Sequence, residues 1–183
     1  MSRNGIQDSG SGAAANRPES ARQAHPFGPL FDPDSRVLVL GSFPSVKSRE
    51  QQFFYGHPQN RFWPVVAAVF GEAVPQSIAE KKELILKHHL ALWDSIAGCE
   101  ITGSSDASIR NVEPNDLSII LDACDIRRIF CNGKTSHAHY MKLIFPLTGR
   151  EAVCLPSTSP ANAQWSLDRL TEAWRILREE AEK

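Results

Sequence analysis

Residues 37–64 read VLVLGSFPSVKSREQQFFYGHPQNRFWP, and this stretch decides the fold. Val37 to Leu40 is a short, apolar, largely β-branched run that stops at Gly41, the pattern of a strand buried on both faces of a parallel sheet. A polar turn, Gly41-Ser42-Phe43-Pro44-Ser45, leaves it. Beyond the turn, Phe62, Val65, Val66, Val69 and Phe70 recur at helical spacing from Arg61 onward. A strand feeding a loop and then an apolar helix is the opening unit of an α/β protein.

The alternation continues outward. Ser77 followed by Glu80 is a capping box that opens a helix running to about His88. His89 to Trp93 reads as a second strand, Asn115 to Cys124 as a helix, and Arg128 to Cys131 as a third strand. Ser136 to Phe145 is a further helix and Glu151 to Leu155 a fourth strand. A last helix starts near Ser166 with the stripe Leu167, Leu170, Trp174, Leu177, Ala181. The expected architecture is a three-layer α/β/α sandwich around a central four-stranded, mainly parallel sheet. Ligands of such sheets sit at the carboxyl ends of the strands. The chemistry is therefore expected in GSFPSVKS, LWDSI, CNGKTSH and LPSTSPANA.

Residues up to about Ala24 are Ser, Gly, Ala, Asn, Arg and Gln with one large apolar side chain, Ile6; they read as a disordered tail before a single domain, 25–183. The 183 residues suit one domain, and 42% hydrophobic with 22% charged residues is a globular composition. No apolar run reaches membrane-spanning length and no secretory signal opens the chain, so cytoplasmic residence is expected. The net charge of −1 lends no support by itself to a nucleic-acid partner, so any grip on phosphates must be local. Cys99, Cys124, Cys131 and Cys154 lack C-x-x-C spacing and each sits beside apolar residues, as reduced core thiols do. This argues against an iron–sulfur cluster and against a zinc deaminase arm. His88, His89, His137 and His139 have no acidic or thiol companions at ligand spacing, so no metal and no cofactor is expected.

Within the first loop, Phe53, Phe54 and Tyr55 precede Gly56-His57-Pro58-Gln59-Asn60. Gly and Pro hold the backbone close, an aromatic offers a flat face, and Asn60 offers donors and an acceptor without charge. A planar heterocycle can stack on Tyr55 while Asn60 reads its edge or orients a water. The bland alternative is a core aromatic cluster followed by a turn.

The string GSFPS…YGHPQNRFWP resembles the first motif of the uracil-DNA glycosylase superfamily, and within it the family-6 hypoxanthine-DNA glycosylases most of all. HPQNRFWP is also similar to the H-P-x-N-R-F-W segment of the mismatch-specific uracil-DNA glycosylases. CNGKTSH and LPSTSPAN, followed by SLDRLTEAWRIL, are similar to the superfamily's later loops and closing helix, so the resemblance runs from about residue 25 to the C-terminus. It implies a monofunctional glycosylase that flips a deaminated base, hypoxanthine in first place, out of double-stranded DNA and hydrolyses its N-glycosidic bond, acting as a monomer.

The resemblance makes Asn60 the catalytic residue and Tyr55 the stacking aromatic. Gly41, Ser42, Phe43 and His57 would complete the base pocket, His57 either as a donor or as a structural cap. Phe43 stands where the mismatch-specific enzymes carry a water-activating asparagine, which shifts the burden to Asn60. Ser45, Lys134, Ser157 and Ser159 would meet the DNA backbone, with Thr158 a further hydroxyl. The DNA wedge falls near Ala161, a small residue, so Asn162 or a shifted loop takes that role, or the weak damaged pair needs none. Lys134 as a Schiff-base amine is the lesser reading. A preference for uracil or for several deaminated bases, and a non-catalytic nucleotide- or DNA-binding module, are the rival readings.

Overall fold

The computed structural model describes residues 21–183. The expected disordered tail falls mainly on residues 1–20, outside the described residues, but its last four residues do not belong to it. Strand β1 (Ala21–Ala24) pairs antiparallel with β4 (Ile96–Ile101), Ala21 opposite Ile101. Their side chains are mostly exposed, and backbone pairing rather than apolar burial places them, which composition does not reveal.

The central sheet holds β2 (Val37–Gly41), β3 (Leu90–Asp94), β6 (Arg128–Asn132) and β7 (Ala152–Leu155), all parallel, in the order β3-β2-β6-β7. All of β2 and β3 is buried, as a continuous apolar run covered on both faces requires. Between β2 and β3 come α1 (Val46–Gln51), α2 (Phe62–Phe70) and α3 (Ile78–Lys87). Between β6 and β7 the chain runs through α5 (Lys134–His139), a π-helical turn (Tyr140–Ile144) and α6 (Phe145–Thr148). The first crossover moves toward one edge of the sheet and the second toward the other. Right-handed connections therefore put their helices on opposite faces, which makes the three layers. The closing helices α7 (Leu167–Trp174) and α8 (Ile176–Ala181) return to pack on α2.

Because β2 leads to one side and β6 to the other, the crevice between their carboxyl ends is the switch point of the sheet, where α/β proteins bind ligands. Ser136 seals its base: the buried hydroxyl reaches the carbonyls of Leu40 and Gly41, both at 2.9 Å.

The capping box at Ser77 and Glu80 forms as the spacing predicts, and the last helix starts where expected, with Ser166 as its cap. The helix expected over Asn115–Cys124 shrinks to one turn, α4 (Ser118–Leu121). Asn115 is committed elsewhere, its amide bonded to the carbonyls of Asp94 and Ile96, and Asp116 caps Ser118. A second, three-stranded antiparallel sheet in the order β1-β4-β5, with β5 being Arg110–Pro114, was not anticipated. It encloses a small core of Phe43, Ile96, Cys99, Ile101 and Ile109. Cys99 and Cys131 are the core thiols expected, and burial pushes Cys131 up to about 12. Cys154 is not a core thiol, since edge strand β7 leaves it exposed. No helix among the described residues is long and apolar enough to cross a membrane.

Trp174 joins the closing helix to the sheet end: it is fully buried against Phe62 and its indole N–H donates to the Pro156 carbonyl at 3.0 Å. Trp174→Ala should cost about 3–5 kcal/mol, read as a lower urea midpoint at unchanged slope.

Candidate active site

A cavity of about 320 Å³ opens at the switch point, its wall formed by the Gly41–Ser45 loop, Phe54, Tyr55, Asn60, Asp94, Asn132 and the loop after β7. That volume lies at the small end of ligand-holding cavities and suits a single planar base. On one side it is closed by Ser104–Ala107, the tip of the second sheet. Three contacts bind that tip to the first loop. The Ser42 hydroxyl donates to Asp106 Oδ1 at 2.9 Å, the Val46 N–H donates to Ser104 Oγ at 2.9 Å, and the Arg49 guanidinium bridges the carbonyls of Pro44 and Gly103. Loss of solvent at the wall holds the Asp106 carboxyl above its usual range, opposed by the Ser42 hydroxyl.

Asn60 is fixed by a chain of hydrogen bonds whose directions follow from two backbone amides. The Phe62 N–H can only donate, so the Asn60 atom 3.0 Å from it is Oδ1. The Thr158 N–H likewise donates to Asn132 Oδ1 at 3.0 Å, which turns Asn132 Nδ2 toward Thr158 Oγ1 at 2.9 Å. The Thr158 hydroxyl must then spend its own hydrogen on Asn60 Oδ1, at 2.9 Å. Both lone pairs of the Asn60 carbonyl are filled. What Asn60 offers the cavity is its NH2 group, a donor with no freedom to flip. Thr158 is fully buried, so it supports Asn60 and is not the phosphate-facing hydroxyl expected of it.

The next residue, Arg61, holds the opposite wall. Its guanidinium reaches the carbonyls of Trp165, Ser159 (2.6 Å) and Asn162 (3.0 Å), and its backbone N–H donates to Thr158 O at 3.0 Å. A cation satisfied by several carbonyls at once is a strong clamp. It ties the loop after β7 to the segment that carries Asn60.

Tyr55 stands with its backbone at φ +50°, an unfavourable region for a non-glycine residue, and its ring lies flat on Phe62, centroids 3.8 Å apart and 16° from parallel. One face is thus already covered, and the phenol oxygen is buried without a hydrogen-bond partner. Phe43 lines the cavity from the second core, with Arg49 above its ring. Gly41 lies on the floor, where a Cβ would run into the Asp94 carboxylate.

The structure brings together at the cavity Gly41, Ser42, Phe43, Ser45, Tyr55, Asn60, Ser157, Ser159 and Ala161 of the residues singled out by sequence. Others lie outside its lining. His57 accepts the Gln59 N–H at 3.2 Å within its own turn. Lys134 is an exposed residue in the first turn of α5. Asn162 turns its amide inward to the Ser157 carbonyl at 2.9 Å. Sequence reasoning missed Asp106 and His25, whose Nε2 lies 2.7 Å from Asp94 Oδ2, and it left Asp94 and Asn132 without a definite part. The available signal for Asp94 and Asn132 was their place at the last position of a buried strand.

A parallel sheet whose switch point holds aromatic rings, fixed amides and hydroxyls around a base-sized cavity defines an α/β enzyme that handles a planar heterocycle. Residues 29–178 match the family model of the uracil DNA glycosylase superfamily. The chain is 34% identical over 153 residues to a hypoxanthine DNA glycosylase of Methanosarcina acetivorans, covering 83% of this chain and 96% of the relative. A second hypoxanthine DNA glycosylase, from Methanosarcina barkeri, is 32% identical over 151 residues, 81% of this chain and 93% of the relative. A solution NMR structure from Methanosarcina acetivorans, described as a candidate uracil DNA glycosylase, superposes with a TM-score of 0.73 at 31% identity. That match covers 86% of this chain and 97% of the other. The chain belongs to the uracil DNA glycosylase superfamily and is a DNA glycosylase.

Replacing the Thr158 hydroxyl by a methyl of the same shape, Thr158→Val, should cost about 1–3 kcal/mol, because Asn132 Nδ2 and Asn60 Oδ1 both lose a partner. Single-turnover excision should slow more than substrate binding weakens, since the Asn60 amide is then held by the Phe62 N–H alone.

Proposed function

We propose that this enzyme excises hypoxanthine from double-stranded DNA as a monofunctional glycosylase, acting as a monomer and in the cytoplasm, with its fold contained in one domain that takes in β1 from Ala21. The observation that carries the reading is the saturated carbonyl of Asn60, which leaves only its NH2 group for the substrate. The two relatives named for hypoxanthine support that base over uracil.

The glycosidic bond cannot be approached inside the duplex stack, so the nucleotide turns out and its base enters the cavity first. As the bond between C1′ and N9 breaks, its electron pair goes to the purine and the sugar gains oxocarbenium character. Hypoxanthine spreads that charge onto N7 and O6, both acceptors. Asn60 Nδ2 donates to N7 and is worth more to the departing anion than to the neutral base, the condition for lowering the barrier. Water adds to C1′, and its proton ends on the released base. Asn60 does not take that proton and has no acceptor left with which to hold the water. Its part is to stabilise the leaving group.

Ser157 and Ser159 line the cavity from the loop after β7 and Ser45 lines it from the first loop, and these hydroxyls are assigned to the phosphates of an extruded nucleotide. Ala161 in the loop after β7 is the nearest candidate for contact with the gap left in the stack. Lys134, exposed and outside the cavity lining, is read as a phosphate contact and not as an imine-forming amine, so the product expected is an intact abasic site. His57 and Asn162 act as turn supports.

Two substitutions test the role of Asn60. On oligonucleotides carrying hypoxanthine, Asn60→Ala should lower single-turnover excision on the order of 10²–10³-fold. Asn60→Asp should be at least as damaging, because it presents an anion to an accumulating anion. An Asn60→Asp enzyme as fast as wild type would show instead that this residue handles the water. Stronger cutting of a uracil strand would replace the base assigned here, and strand scission without alkali would replace the monofunctional reading.

A further inference from the structure

The floor of the cavity is built from groups that Asn60 catalysis does not use. Asp94, the last residue of β3, has a side chain only 7% exposed and still lines the cavity. Its Oδ2 lies 2.7 Å from His25 Nε2. A carboxylate only accepts, so His25 donates there and the carboxylate cannot swing. Its other oxygen, Oδ1, has no hydrogen-bond partner among the described residues and occupies the space where a Cβ at position 41 would be. Glycine at 41 is what lets the carboxylate through to the cavity. The same missing Cβ lies 3.3 Å from Tyr55 Oη, so the phenol and the carboxylate converge on one spot. That phenol is buried and unpartnered. Burial, with the Asp94 charge next and against a smaller opposing pull from the nearby Asn132 side chain, pushes it above the ordinary phenol range, and it remains an O–H donor at working pH.

An acceptor and a donor side by side at the bottom of a base pocket fit one chemical pattern, a lactam. Hypoxanthine presents N1–H and C6=O on the edge farthest from its glycosidic nitrogen, the edge that reaches the floor when the base enters first. Uracil carries the same N–H and C=O pair. Adenine and cytosine carry the reverse, a ring-nitrogen acceptor beside an amino donor. Resting on the glycosylase reading above, we infer that Asp94 and Tyr55 are the specificity-determining pair that recognises deamination itself. Asp94 accepts the lactam N–H, Tyr55 donates to its carbonyl, and His25 is the positioning residue that holds Asp94.

The depth of the pair separates this role from water activation. The sugar stays at the mouth with Ser157 and Ser159, whereas Asp94 closes the end of a fully buried strand. An unmodified adenine that entered would set its N1 lone pair against a carboxylate and leave the phenol facing an amino group. A buried polar site rejects a ligand whose pattern is inverted far more strongly than it rewards a match.

The test compares full-length wild type, Asp94→Asn and Tyr55→Phe on duplexes bearing hypoxanthine, adenine, uracil or cytosine at one position. Binding is measured with 2′-fluoroarabino versions that resist hydrolysis, and excision in single turnover with ordinary ones. In Asp94→Asn, His25 keeps the amide oxygen and turns the NH2 group to the cavity, a donor where the lactam needs an acceptor. Its preference for hypoxanthine over adenine in binding should fall roughly 10- to 100-fold, with hypoxanthine excision falling alongside. Tyr55→Phe should shift the same ratio by a smaller factor, and both variants should bind an abasic duplex as wild type does, which reports that they are folded. Variants that slow excision but keep the wild-type lactam preference would overturn the inference and leave the glycosylase reading standing. A wild type that binds lactam bases selectively yet cuts none would overturn that reading and leave the recognition pair standing.

Discussion

Two backbone N–H groups, those of Phe62 and Thr158, impose order on everything around Asn60. Each can only donate, so each determines which end of an asparagine amide faces it, and Thr158 carries the result from one amide to the other. The Asn60 side chain is therefore aimed by main chain belonging to α2 and to the loop after β7, two segments nearly a hundred residues apart. Reorientation of an amide is ordinarily cheap in water. Here it would leave a buried hydroxyl and a backbone N–H without acceptors, and the penalty exceeds any local gain.

The electrostatic layout matches this inward commitment. Arg61 stands beside Asn60 but is consumed by loop carbonyls, and Arg49 by the carbonyls of Pro44 and Gly103. Both cations knit the walls of the cavity instead of meeting phosphate. With a net charge of −1, the protein has little general attraction for DNA. An enzyme that must survey long stretches of intact duplex gains from weak standing affinity, provided that the extruded base is held well once it arrives.

Much of this was legible in the chain because it is written locally. A β-branched run ending at glycine, a Ser-x-x-Glu box and a heptad-like stripe each carry their meaning within a dozen residues, and β2, α3 and α7 form where those patterns lie. The second sheet escaped notice because β1 and β5 are polar and largely exposed, and the pairing of β4 with β5 is broken by register shifts around Gly98. Neither feature produces a clean two-residue period. At the site, Asn60 and Tyr55 stood out by residue type and setting. His57 and Lys134 stood out equally but face elsewhere, since a position in a loop does not determine where its side chain points. His25 was beyond reach: its partner lies 69 residues away, and nothing in the sequence around His25 announces it.

The clamps around the cavity also set an order of assembly. His25 meets Asp94 across 69 residues, Thr158 meets Asn60 across 98, and Arg61 meets Trp165 across 104. Contacts of that span close long loops and form late, whereas the β2–β3 unit with its three helices can condense early. The shape of the active site thus belongs to no single segment: it exists only while stretches from both halves of the chain are held together.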